Sequence, residues 1–136
     1  MMMIGIDPGV NTGIAVWDKD VRKLQLCAAM PIHAAMDLVK AEHLAQRLHS
    51  VVFEDARLRT GYFGPSSRAK AQGAGSVKRD CTIWADYLGA LGIPYRTISP
   101  RQKGAKVDAE RFKAMTGWQA QTNEHGRDAA MLVIGR

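Results

Sequence analysis

The chain has 136 residues, 46% of them apolar and 24% charged, enough for one hydrophobic core and unlike a low-complexity or disordered segment. Nineteen Lys and Arg against thirteen Asp and Glu leave a net charge of +6 at pH 7, which favours a polyanion, nucleic acid first, over an acidic or neutral ligand. A two-lobed enzyme is excluded by length, and a disulfide framework or Cys-rich zinc site by there being only two cysteines, Cys27 and Cys81.

No apolar run approaches the ~20 residues of a membrane span, and Met1-Met2-Met3-Ile4 lacks the basic and apolar regions of a signal peptide. The expectation is a single domain over residues 1–136, cytoplasmic and reduced, with no membrane partner.

Ile4-Gly5-Ile6-Asp7 reads as a short strand stopped by Pro8-Gly9, and residues 12–17 as its hairpin partner. Leu24, Leu26 and Ala28 alternate in a third strand over 23–29. After Pro31, apolar residues recur at three- and four-residue steps from Ala35 to Leu48, an amphipathic helix of about four turns. Val51-Val52-Phe53-Glu54 follows as an unbroken apolar strand of the kind buried in parallel sheets. Strand, helix, strand implies a right-handed crossover.

Residues 56–72 carry Gly, Pro and Ser punctuation and read as one long loop. Val77, Cys81, Trp84, Leu88 and Leu91 stand four, three, four and three apart, so a helix is expected over 75–91, ending at Gly92. Its seam suits either the core or a helix pair. A fifth strand over 93–98, short helical pieces after Pro100 and over 108–115, and a last helix from Glu124 to the C-terminus complete an α/β chain. The expected sheet has five strands, three antiparallel and then two parallel, flanked by helices.

Charge is unevenly placed. Residues 57–113 hold twelve basic and four acidic side chains, and no carboxylate occurs in 56–79, where Arg57, Arg59, Arg68, Lys70, Lys78 and Arg79 accumulate. Such a segment suits a phosphate-facing surface. Acids gather elsewhere. Asp7 and Glu54 end two apolar strands that the hairpin and crossover make neighbours, and two carboxylates so placed repel unless a cation neutralises them. His125 and Asp128, three apart at the start of the last helix, share one face. Singly, each of the four suits a solvated strand end or helix start. Together, three carboxylates and an imidazole suit Mg²⁺ or Mn²⁺ better than a thiophilic metal.

In order along the chain, Gly5-Ile6-Asp7-Pro8-Gly9 with its Thr12-Gly13 turn, the strand ending in Glu54, Gln72-Gly73-Ala74-Gly75 before a basic helix, Ser99-Pro100-Arg101-Gln102-Lys103, and His125-Gly126-Arg127-Asp128-Ala129 resemble the RuvC family of Holliday junction resolvases. The likeness covers nearly the whole chain. It implies an RNase H-like fold, a homodimer, two divalent ions (Mg²⁺ or Mn²⁺) per active site, no nucleotide cofactor, and paired nicks across four-way DNA junctions in recombination and repair. By the same resemblance, Asp7, Glu54, His125 and Asp128 match the metal-binding tetrad. Lys103 or Lys106, together with Arg111, match the basic residues that meet the cleaved strand. The helix over 77–91 matches the dimer helix, with Val77, Cys81, Trp84 and Leu88 at the interface.

Further DNA contacts are expected from Arg57, Arg59, Tyr62, Phe63, Arg68, Lys70, Lys78, Arg79 and Arg101. Where the family often places an aromatic wedge, three residues after the strand-end Glu, this chain has Arg57, and Tyr62 and Phe63 lie further on. The chain is also short, which resembles phage or prophage members. Three rivals stand beside this reading. A sugar kinase or actin relative would need two lobes. A nuclease acting on forks or structured RNA would share fold and tetrad. A non-catalytic DNA binder would have no use for three acids beside a basic surface.

Overall fold

The computed structural model describes residues 1–59, 67–102 and 104–136, and their side chains except those of 67–74. The expectations for Tyr62, Phe63 and Lys103, and for the side chains of Arg68 and Lys70, lie outside the described residues.

β1 (Met2–Asp7), β2 (Asn11–Asp18) and β3 (Lys23–Pro31) form an antiparallel meander. The first turn closes when the Thr12 hydroxyl donates to Gly9 O at 2.7 Å. β4 (Leu48–Glu54) lies parallel to β1, and β5 (Tyr95–Ile98) parallel to β4, giving the order β3-β2-β1-β4-β5. The expected five-stranded mixed sheet is therefore present. Among the described residues four α-helices flank it: α1 (Ile32–Leu44), α2 (Ser67–Leu91), α3 (Ala109–Thr116) and α4 (Glu124–Met131).

Alternation along the strands sorts side chains between two cores. On one face Ile4, Ile6, Ile14, Val16, Val51 and Phe53 pack against Ala35 and Val39 of α1 and Cys81, Trp84 and Leu88 of α2. On the other face Met3, Ala15, Trp17, Val52 and Ile98 meet Phe112 of α3 and Ala129, Ala130, Leu132 and Val133, from α4 and the turn after it. Tyr87 ties α2 to α1 by donating its hydroxyl to Met36 O at 3.2 Å.

Several expectations need correction. Cys81, Trp84 and Leu88 are fully buried within the chain, and Val77 packs against the same cluster, so the four-three seam of α2 is core and not a surface for a second copy. The sheet is the partner that the spacing required. α2 also begins at Ser67, eight residues before the expected start, because the Ala, Lys and Gln ahead of the glycines favour helix and outweigh Gly73 and Gly75. Within the expected loop, a 3₁₀ turn occupies Ala56–Leu58. Leu48, which fits the period of α1, instead opens β4, since the chain turns at Gln46 with φ of +59°. Among the described residues just behind Pro100 there is a turn in place of the expected helical piece, in which Gln102 N–H donates to Ser99 O. α4 stops at Met131, short of the C-terminus.

Candidate active site

The site lies where β1 and β4 end. Ile6 is in register with Phe53, so the next residues, Asp7 and Glu54, come level at the carboxyl ends of two parallel strands. Met3 and Val52, on the α4 side, share alternation parity with Asp7 and Glu54, so both carboxylates belong to the face that α4 covers. The apolar Ile6 and Phe53 face the other way.

Two glycines let α4 come close enough to supply the rest. A Cβ on Gly13 would stand 2.0 Å from His125 O, and one on Gly5 would stand 2.1 Å from Ala129 O. Any side chain there would push the helix off the strands. The N-terminus of α4 is fixed by Asn123, whose side chain accepts from Gly126 N–H at 2.8 Å.

The approach puts His125 Nδ1 3.1 Å from Asp7 Oδ2, the carboxylate mostly buried and the ring half-exposed. An ionised carboxylate only accepts, so the hydrogen bond assigns the proton to Nδ1, and in the neutral ring Nε2 is left as the acceptor. Asp128 lies one turn further along α4 and is buried. The Lys106 ammonium stands 3.8 Å from Asp128 Oδ2 and pairs with Glu124. It is mostly exposed.

Of the four expected ligands the structure thus joins Asp7 to His125, sets Glu54 level with Asp7, and seats Asp128 on the same helix as His125. Among the described residues, no three His, Cys, Asp or Glu side chains are gathered closely enough to hold a metal ion as they stand. In chemistry the donors fit a hard divalent cation. In this arrangement, however, the His125 ring occupies Asp7 and the Lys106 ammonium approaches Asp128, so an ion would have to displace both.

Arg57, expected on DNA, is engaged elsewhere. Its Nε and Nη2 donate to Asp55 Oδ1 and Oδ2 at 2.9 and 2.8 Å, and its backbone N–H donates to Oδ1 at 3.0 Å. Asp55 is 2% exposed. Burial alone would raise its pKa, but the Arg57 hydrogen bonds and charge prevail and hold the carboxyl below the usual aspartate range. Asp55 N–H also donates to Ile98 O, and Cys81 Sγ to Glu54 O, so the end of β4 is anchored on both sides of Glu54. Arg59, Arg79, Arg101 and Arg111 are exposed, and Lys78 is half-buried.

Sequence reasoning missed Asp55, the buried partner of Arg57, although an acid two residues before an Arg beside a strand end was visible. It also missed Arg127, which bonds Val107 O and Thr122, and the packing role of Gly5 and Gly13. Glycine inside a strand was the available sign of the latter.

No protein-family model and no curated protein matches the chain. Solved structures do. The RuvC of Thermus thermophilus in complex with a Holliday junction substrate is 20% identical with a TM-score of 0.60, covering 98% of this chain and 90% of that one. A second structure of Thermus thermophilus RuvC is 18% identical with a TM-score of 0.62, covering 98% and 92%. At such identity the likeness shows the fold: this chain has the RNase H-like fold of RuvC.

Proposed function

We propose that the chain is a divalent-metal-dependent endonuclease that resolves four-way DNA junctions by paired phosphodiester hydrolysis. The observation that carries this reading is the 3.1 Å contact of His125 Nδ1 with Asp7 Oδ2, with Glu54 level with Asp7 on the neighbouring strand, Asp128 on the same helix as His125, and Lys106 beside Asp128. The RuvC fold, shared along nearly the whole chain with a protein solved on a Holliday junction, supports it.

Asp7, Glu54, His125 and Asp128 would hold Mg²⁺ or Mn²⁺, two ions per site. When bound, the ions lower the pKa of water and neutralise charge on the attacking and leaving oxygens. The chain's own groups do the rest. Asp7, at the meeting of β1 and α4, would hold the ions together with Glu54 and the His125–Asp128 face of α4. His125 lends the nitrogen that suits Mn²⁺. Lys106 offsets negative charge that builds on the phosphate, the role the resemblance gave to Lys103 or Lys106. Arg59, Arg79, Arg101 and Arg111, with Arg68, Lys70 and Lys78, draw in the sugar–phosphate backbone.

Paired nicks require two sites, and hence a homodimer. Because the Val77–Leu88 seam is core, the copies must meet through other surface, and sedimentation of a Trp84-intact protein alone and on junction DNA tests that. Labelled four-way junction, splayed fork, duplex DNA and structured RNA, each with Mg²⁺, Mn²⁺ or chelator, test the reading itself. Metal-dependent nicking of the junction ahead of the others supports it. Preference for fork or RNA would favour the rival nuclease, and binding without cleavage the non-catalytic one.

A further inference from the structure

Arg127 sits on α4 between His125 and Asp128, yet its guanidinium is spent on two connecting segments. Nε donates to Val107 O at 3.0 Å, while Nη1 donates to Thr122 O at 3.1 Å and to Thr122 Oγ1 at 3.0 Å. Val107 follows Lys106 directly, and Thr122 precedes Asn123, the residue that caps α4. One side chain therefore links the connection from β5 to α3, the connection from α3 to α4, and the helix carrying two of the proposed ligands.

The stretch 99–107 needs such a link. Its described residues form no helix or strand, and the hydrogen bonds around Ser99 and Gln102 are local. Gly104 adopts a φ of +85° in its middle. Val107 adds apolar packing against the α4-side core. Lys106 itself is mostly exposed on a long flexible stem, so its approach to Asp128 depends on where the backbone of Val107 is held.

We propose that Arg127 is a positioning residue: by clamping Val107 to α4 it holds Lys106, and with it the basic turn from Arg101, over the cleavage site. This rests on the nuclease reading given above. A lysine cannot substitute, because three acceptors in two segments call for the planar fork of a guanidinium and not a single ammonium. Arg127 touches neither substrate nor metal in this account and acts through Lys106.

The test uses the whole chain as wild type, Arg127→Gln, Arg127→Lys, Lys106→Ala and the Arg127→Gln/Lys106→Ala double variant, each first shown to be folded by circular dichroism. Brief trypsin treatment reads the clamp without any cleavage of DNA. Cutting after Arg101 and Lys106 should accelerate several-fold in both Arg127 variants, while cutting after Lys40 and Arg47 stays as in wild type. On four-way junction with Mn²⁺, the turnover rate of Arg127→Gln should fall about 10–100-fold. The double variant should be no slower than the slower single. Unchanged tryptic rates at Arg101 and Lys106, or effects of the two substitutions that multiply, would overturn the inference. If wild type nicks no nucleic acid, the nuclease reading fails, and trypsin alone decides whether Arg127 holds this segment. Should Arg127→Gln not fold, Arg127→Lys answers the same two questions.

Discussion

On the side of the sheet covered by α1 and α2, the strands present Ile4, Ile6, Ile14, Val51 and Phe53 to Val39, Trp84 and Leu88. The opposite side, covered by α3 and α4, begins in the same manner with Met3 and Val52 but ends, four residues along β1 and two along β4, in Asp7 and Glu54. The same backbone register builds both. On the first side large side chains fill the space between sheet and helices. On the second, Gly5 and Gly13 remove that space, and the backbone of α4 rests nearly on the strands. Close approach is what lets short side chains, Asp7 and His125, reach each other from different elements. The dry side therefore supplies stability, and the glycine side supplies geometry.

Substitutions separate the two. Trp84→Ala, which empties a fully buried site between α2 and the sheet, should cost about 3–5 kcal/mol in urea unfolding. Any of that protein still folded should keep the chemistry of the site, because the side chains of Asp7 and Glu54 belong to the opposite face of the sheet. Gly13→Ala should cost about 1–3 kcal/mol or more, since the new Cβ meets backbone rather than a movable side chain. Unlike Trp84→Ala, it should abolish cleavage even in the folded fraction, by displacing His125 from Asp7. Equal loss of stability and activity in both variants would break the distinction between the faces.

Smaller effects sharpen it. Arg57→Ala leaves the buried Asp55 carboxylate with only a backbone N–H and the weak Cys81 thiol as partners and should cost about 1–3 kcal/mol. Its pH dependence carries the sign. The Asp55 pKa is lowered in the fold, so its contribution is present above the unfolded value of about 3.9 and is lost as pH falls through the lower folded value. In Arg57→Ala the acid limb of the unfolding curve should move to higher pH. An unmoved limb would show that the ion pair adds nothing. Smallest is the effect of thiol reagents. Burial pushes both the Cys27 and Cys81 thiols up to about 11, so neither should react with a disulfide reagent at pH 8 until the chain unfolds. Rapid labelling of Cys81 in the folded protein would contradict the packing of α2 on the sheet.

Much of this was legible in the sequence, and for a common reason. Strand alternation and the positions of Asp7 and Glu54 follow from local pattern, as does the face shared by His125 and Asp128. The order of strands follows from the hairpin and the crossover. Less visible was anything decided by what lies opposite. The seam Val77, Cys81, Trp84 and Leu88 has the same spacing whether its partner is a second helix or a sheet, and only the folded chain shows the sheet. Arg57 looks like one more cation in a basic segment until Asp55 is seen to be buried beneath it. Arg127 bonds a carbonyl twenty residues upstream, a backbone contact that leaves no trace in residue types.

The account's central claim is that the acids converging with His125 cut the DNA that the basic surface binds. The most direct test is nicking of a labelled four-way junction by wild type, Asp7→Asn, Glu54→Gln, Asp128→Asn and His125→Asp in Mg²⁺ and in Mn²⁺, with junction affinity measured on the same samples. The three acid variants should lose cleavage yet bind within a few-fold of wild type, because affinity comes from phosphate contacts made elsewhere. Wild type should cut faster with Mn²⁺, and His125→Asp should stay active with its preference moved toward Mg²⁺. Cleavage at the wild-type rate by Asp7→Asn or Glu54→Gln, or a metal preference unaltered in His125→Asp, would contradict the claim.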